Sequence, residues 1–192
     1  MTVDVTKGGS VALDKAGGPL SRVMVALGWD PAAKGATEDF DLDASVFALG
    51  ADDRLIAPGY FVFFNNLASP RGEITHRGDN LTGEGDGDDE QVEIQLDELS
   101  RTVVRVVFVV TIHNADYRHQ DFGGVRNAFI RVVDSARGVE VARYDLSTEA
   151  KHETAMLFGE IYRGGTGWRF RALGQGRIDD LAGVARQFGY VI

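Results

Sequence analysis

Residues 102–112 read Thr-Val-Val-Arg-Val-Val-Phe-Val-Val-Thr-Ile, eight apolar side chains broken only by Arg105 and the threonines. A β-branched run of strand length without alternation is the signature of a strand covered on both faces, so it belongs at the centre of a sheet. Around it the dominant period is two. Val23, Val25 and Leu27 alternate with Met24 and Ala26, before an expected stop at Gly28-Trp29-Asp30-Pro31. Phe40, Leu42, Ala44 and Val46 alternate with Asp39, Asp41, Asp43 and Ser45, and Val92, Ile94 and Leu96 with Glu93, Gln95 and Asp97. Phe61-Val-Phe-Phe64 is a short aromatic run ended by Asn65-Asn66. Two hairpins follow: 128–134 and 139–146 around Ser135-Ala-Arg-Gly138, then 154–163 and 167–173 around Gly164-Gly165-Thr166.

Short strands separated by Gly- and Asp-rich turns predict an all-β dominated fold, an antiparallel β-sandwich. Helix is scarce. Only Ile178–Phe188 carries 3.6-residue spacing, with Asp179 and Asp180 suited to its first turn and Gly189 as its stop. A further helical turn is expected near Asp121-Phe-Gly123. No internal repeat or linker divides residues 1–192, which read as a single domain. The remaining aromatics (Phe61, Phe63, Phe64, Phe129, Phe158, Tyr162, Trp168, Phe170) alternate within strands and are expected in the core.

The 192 residues carry 20 Lys+Arg against 29 Asp+Glu and no cysteine, a formal charge of −9. Zero Cys excludes disulfides, thiolate metal sites and a cysteine nucleophile. The acidity argues against a nucleic-acid partner, which needs a basic face. No basic n-region leads into an apolar stretch at the N-terminus, so no secretory signal is expected. No apolar run approaches the roughly 18–20 residues of a bilayer span. The absence of a signal and of cysteine both favour a cytoplasmic setting.

The charge is local. Residues 38–43 hold four acids and 79–90 hold six, with no base in either. Without those ten groups the balance moves from −9 to +1. In an extended segment Asp39, Asp41 and Asp43 share one side, with neighbours roughly 6.8 Å apart, an arrangement that self-repels unless a cation reverses the sign. Glycines 83, 85 and 87 give the longer stretch the curvature to converge carbonyls as well as carboxylates. Hard oxygen donors in this number suit Ca²⁺ better than zinc or copper. The alternative is a solvated acidic hairpin turn. The twelve residues from Asp79 to Glu90 match an EF-hand loop in length only: Leu81 and Gly83 occupy its third and fifth positions, and position six is not glycine.

At these residues the chain resembles the TerD family, the bacterial tellurite-resistance and general stress domain. The resemblance lies in Gly28-Trp29-Asp30, Asp39-Phe-Asp-Leu-Asp-Ala-Ser45, Phe63-Phe-Asn-Asn66, Gly78-Asp-Asn-Leu-Thr-Gly-Glu-Gly-Asp-Gly-Asp-Asp-Glu90 and Asn127-Ala-Phe-Ile-Arg131. It continues through Glu153–Arg163 and Trp168–Gly176, nearly end to end. The resemblance implies a β-sandwich, a cytoplasmic setting and a role in resistance to tellurite and related stresses, and no known catalytic reaction. It also implies calcium, two ions bracketed between the 39–43 strand end and the 79–90 loop. Carried over position by position, the ligands are Asp41 and Asp43, then Asp79, Asp86, Asp88, Asp89 and Glu90 through carboxylates. Asn80, Gly83 and Gly85 would act mainly through carbonyl oxygens, and Asn66 is an outside candidate.

The expected function is therefore a non-catalytic, calcium-binding stress-response module whose ordered acidic loops engage other stress-resistance proteins. Two readings compete. A metal-dependent phosphoester hydrolase would use calcium or magnesium as Lewis acid. Against it, the best-placed acids are consumed as ligands, and His76, His113, His119 and His152 show no nucleophile–base spacing. A calcium-dependent membrane module resembling a C2 domain would insert Trp29. Membrane association is not otherwise indicated, and a Trp after a strand-end Gly more often plugs a sandwich edge. Direct capture of tellurite is unfavourable, because tellurite is an anion and the chain is acidic and lacks thiols. Arg71, Arg77 and Arg118 are expected to face the acidic loops.

Overall fold

The central strand, Arg105–Ile112, sits where the sequence puts it, between two antiparallel neighbours in a six-stranded sheet. A computed structural model describes residues 2–15, 18–30, 39–78, 87–146, 151–165 and 167–190. In chain order the strands are β1 (Val3–Asp4), β2 (Ser10–Ala12), β3 (Asp14–Lys15), β4 (Gly18–Pro19), β5 (Arg22–Asp30), β6 (Leu42–Leu49) and β7 (Phe61–Val62). They continue with β8 (Ile74–His76), β9 (Glu90–Gln95), β10 (Arg105–Ile112), β11 (Arg126–Asp134), β12 (Val139–Asp145), β13 (Ala155–Gly164) and β14 (Gly167–Arg177). A four-residue helix α1 (Ala115–Arg118) follows β10, and α2 (Leu181–Gln187) follows β14.

One sheet runs β1-β12-β11-β5-β9-β8 and the other β2-β14-β13-β10-β6-β7, while β3 and β4 form a small ribbon. All pairings are antiparallel except β1 with β12. The result is the expected antiparallel sandwich, its two faces meeting over one core that includes Val25, Leu27, Val46, Val92, Ile94, Val106, Phe108 and Phe158.

Strand β10 is covered on both faces by two different layers. Val106, Phe108, Val110 and Ile112 point into the sandwich. Val107 and Val109 point outward into a second cluster with Phe47, Leu49, Phe61 and Leu157. That cluster is roofed by Val184, Ala185 and Phe188 of the C-terminal helical segment. Phe47 stacks on Phe61 with centroids 4.4 Å apart and meets Phe188 at 4.9 Å. The helix exists because its apolar stripe has this patch to cover; seven residues would not hold a helix in water alone.

Local boundaries differ from the expectations in instructive ways. Strand β5 does not stop at Gly28 but runs to Asp30, because Gly28 pairs with Phe129 and Asp30 with Arg126. A side chain at 28 would strike the Phe129 ring, which is why glycine stands inside this strand. Helix α2 begins at Leu181 rather than Ile178. Asp180 is its extended N-cap, the carboxylate accepting from Gly183 N–H at 2.6 Å, so both acids precede the first turn. Ile178 is left 80% exposed. Gly189, at φ +83°, ends the helix as expected. The helical turn lies at 115–118, upstream of the expected 121–123, where the chain makes a hydrogen-bonded turn instead, Gly124 N–H donating to the Asp121 carbonyl at 3.1 Å. Of the aromatics expected in the core, Phe61, Phe158, Trp168 and Phe170 are buried, Phe63, Phe129 and Tyr162 are half-buried, and Phe64 is exposed.

Candidate metal centre

Alternation along residues 40–44 turns Leu42 into the sandwich and leaves Asp41 and Asp43 on the other side, as the sequence predicts. Both carboxylates are nonetheless buried, each 6% exposed, while Asp39 is exposed. Asp43 pairs with Thr111 across the β6–β10 ladder, and His113 N–H donates to the Asp41 carbonyl at 2.8 Å. His113 Nδ1 lies 3.5 Å from Asp43 Oδ2, and Arg118 in the last turn of α1 lies 3.9 Å from Asp41 Oδ2. Buried carboxylates cost several kcal/mol each unless cations or donors compensate them.

The end of the second acidic stretch is brought to the same corner. Strand β7 reaches β6 only at Val46 and Phe47, so the Ala44 N–H stands beyond it at the sheet edge. Glu90, the first residue of β9 in the opposite sheet, accepts that N–H with Oε2. The same oxygen lies 3.7 Å from Nε2 of His76, and both side chains are 1% exposed. Asp89 adds a second stitch: its Oδ2 accepts the Trp29 N–H at 2.8 Å, while Trp29 Nε1–H donates to the Phe40 carbonyl at 3.1 Å. Trp29 thus ties residue 40 to residue 89. At 4% exposure it plugs the sandwich edge and offers no inserting surface.

The electrostatics separate the three described acids of this stretch. Burial pushes the Asp89 carboxyl above its ordinary range; the Trp29 N–H opposes this, and the charges of Asp88 and Asp30 add to it. Asp88 is gripped instead by a guanidinium. Arg131 Nε and Nη2 reach its two oxygens at 2.7 and 2.9 Å, and Gln91 donates at 3.2 Å. This fork raises the Arg131 pKa further and pairs the two charges in a bidentate contact. The sequence marks Arg131 only as part of the Asn127–Arg131 stretch and assigns it no partner, because its pairing depends on the β11–β5–β9 register, in which Arg131 opposes Ala26 and Ala26 opposes Gln91. Of the arginines expected near the acids, Arg118 alone reaches an acid of 39–43 or 87–90 among the described residues; Arg77 pairs with Glu93, and Arg71 donates to the Glu98 carbonyl.

Asn66 closes the turn after β7, its amide donating to the Phe61 and Gly59 carbonyls at 2.6 and 3.3 Å. Asp79, Asn80, Gly83, Gly85 and Asp86 lie outside the described residues. Among the described residues no three carboxylate or imidazole groups converge closely enough to hold an ion by themselves. What they supply is hard, buried oxygen chemistry from Asp41, Asp43 and Glu90, donors of the kind that calcium takes.

Known proteins share this design. The TerD domain family model matches residues 1–188. A tellurium resistance protein TerD of Serratia marcescens is 51% identical over 189 residues, spanning 98% of each chain. General stress protein 16U of Bacillus subtilis is 43% identical with the same coverage. The crystal structure of a homologue of telluride resistance protein (TerD), SCO6318 from Streptomyces coelicolor A3(2), is 32% identical. It superposes with a TM-score of 0.70 over 86% of this chain and 95% of its own. A match running nearly end to end, on a sandwich that its structural neighbour shares, makes this chain a member of the TerD domain family.

Proposed function

We propose that the protein is a non-catalytic calcium-binding module of the cytoplasmic stress response, serving resistance to tellurium compounds as its relatives' names describe for them. The observation that carries the reading is the bond from Ala44 N–H to the Glu90 carboxylate, which holds the end of the 79–90 loop against the Asp41–Asp43 strand. Calcium would bind where these segments meet, taking Asp41, Asp43 and Glu90 from the scaffold. Asp79, Asn80, Gly83, Gly85 and Asp86 would complete two sites. Asp89 serves beside them through Trp29, and Asp88 serves chiefly as the Arg131 anchor that fixes the loop's exit.

Binding is coupled to order. The ion offsets repulsion among carboxylates and removes the desolvation cost of the buried ones, so it stabilises the fold. At about 100-fold over Kd the gain is about 2.7 kcal/mol. Protection against tellurite would follow through protein partners engaging the calcium-ordered loop, since direct capture of the anion is unfavourable for an acidic, thiol-free chain.

Calorimetric titration with Ca²⁺, and melting with and without chelator, test the reading. We expect heat of binding and a Tm rise in wild type, both abolished in Asp41→Asn/Asp43→Asn. Absence of heat together with an unchanged Tm in the wild-type protein would remove it.

A further inference from the structure

A groove of about 620 Å³ lies between the two short helices and the ends of β6 and β10, adjoining the proposed calcium corner at Asp43. Its apolar rim is unusual. Six large hydrophobic side chains are exposed among the described residues, and three of them, Phe64, Tyr117 and Ile178, line this one groove. Tyr117 is 85% exposed and Ile178 80%, so neither contributes to the folded core. Apolar side chains that are scattered singly need no explanation, whereas a cluster around a concave surface marks a place for a partner.

The charge of the groove says what kind of partner. Asp43, Asp116, Asp179 and Asp180 line it against a single guanidinium, Arg186. A second copy of this chain, itself at net −9, would bring no excess of positive charge to meet an acidic wall. A segment bearing lysines or arginines around an aromatic or aliphatic anchor would be attracted at the rim and desolvated at the centre. The geometry points to this groove as the docking site for a short basic–apolar peptide segment of a protein partner. The inference names the partner chemistry that the calcium reading leaves open. Tyr117, Ile178 and Asp116 belong to neither ligand set, so docking can be measured with calcium removed.

The test uses the full chain, ¹⁵N-labelled and held in chelator, titrated with a synthetic peptide of four arginines flanking Trp-Leu. We expect backbone shifts concentrated at 111–117 and 178–182. Tyr117→Ser/Ile178→Ser should weaken binding by about tenfold. Asp116→Lys should weaken it too, with the remaining affinity less sensitive to salt. Both altered surfaces are exposed, so melting curves should match wild type. A glutamate-flanked Trp-Leu peptide should not bind. Shifts located elsewhere, no binding, or equal affinity for the double variant or for the acidic peptide would each overturn the proposal. So would a self-associated protein in sedimentation equilibrium that Tyr117→Ser/Ile178→Ser makes monomeric, because the groove would then belong to a second copy. Keeping chelator throughout separates this outcome from any failure of the calcium reading.

Discussion

Asp89 and Glu73 are both carboxylates drawn out of water, yet their surroundings push them in opposite directions. Asp89 is raised by burial and by its acidic neighbours Asp88 and Asp30, despite the Trp29 N–H. A raised carboxyl binds its proton more tightly in the folded state. Its favourable contribution is therefore fully present only below the ordinary carboxyl pKa, and is lost as pH rises through the raised value. Asp89→Asn keeps an acceptor for Trp29 and discards the charge. In chelator we expect it to raise stability near neutrality by up to about 1 kcal/mol, a figure discounted because the side chain is only half-buried. The gain should shrink as pH falls toward about 4, read from urea melts across that range. Glu73 is the reverse case. Burial would raise it, but hydrogen bonds from Ser69 at 2.7 Å, its own backbone and Tyr60 at 2.8 Å, with the charge of Arg71, outweigh that and lower it. Its contribution is present above the ordinary Glu pKa and lost as pH drops through the lowered value. Glu73→Gln should cost about 1–3 kcal/mol at neutral pH and progressively less in acid. A constant difference at all pH values would contradict this assignment.

At this scale the sequence read unevenly. Period-two alternation was enough to put Asp41 and Asp43 on one side of their strand. It could not tell that the neighbouring acids divide their work, Asp88 gripping Arg131, Asp89 holding Trp29 and Glu90 reaching the opposite sheet. Those partners lie 43, 60 and 46 residues away. The distinction makes a prediction. Asp88→Asn should lower Tm by releasing Arg131, yet weaken calcium affinity less than Asp43→Asn does, as parallel melts and titrations would reveal.

Among the elements, those with a long local pattern were legible. The two late hairpins and the doubly covered strand appear close to where the sequence puts them. Boundaries set by contacts from elsewhere were not. Strand β5 extends past a glycine because β11 supplies a partner there. Helix α2 starts three residues late because the Asp180 cap, rather than the apolar spacing, fixes its first turn. The helix is held by its patch on the second sheet, where Phe188 is buried against Phe47. Phe188→Ala should therefore cost about 3 kcal/mol or more and expose Val107 and Val109, raising dye binding to apolar surface. A loss under about 1 kcal/mol would mean that the helix is not what covers the outer face of β10.

At the scale of the whole molecule, ten acids on a nearly neutral scaffold make charge itself a readout. Filling two sites with calcium would take the net charge from −9 to about −5. Electrophoretic mobility at constant ionic strength should then fall by roughly two-fifths. An unchanged mobility at saturating calcium would leave the acidity without the cation that the loops are proposed to hold.

The sequence by itself determined the sandwich, the central strand, the scarcity of helix and the concentration of acids, because each is a local pattern of side-chain period or charge. Tertiary structure decided which sheet each strand joined as the chain passed back and forth between the two layers. It decided which acids meet an arginine, a backbone N–H or one another, and left an apolar groove with acidic walls between two short helices. Those outcomes depend on register between strands far apart in the chain. A shift of one residue turns every side chain to the other face, and no local pattern encodes the partner against which that register is set.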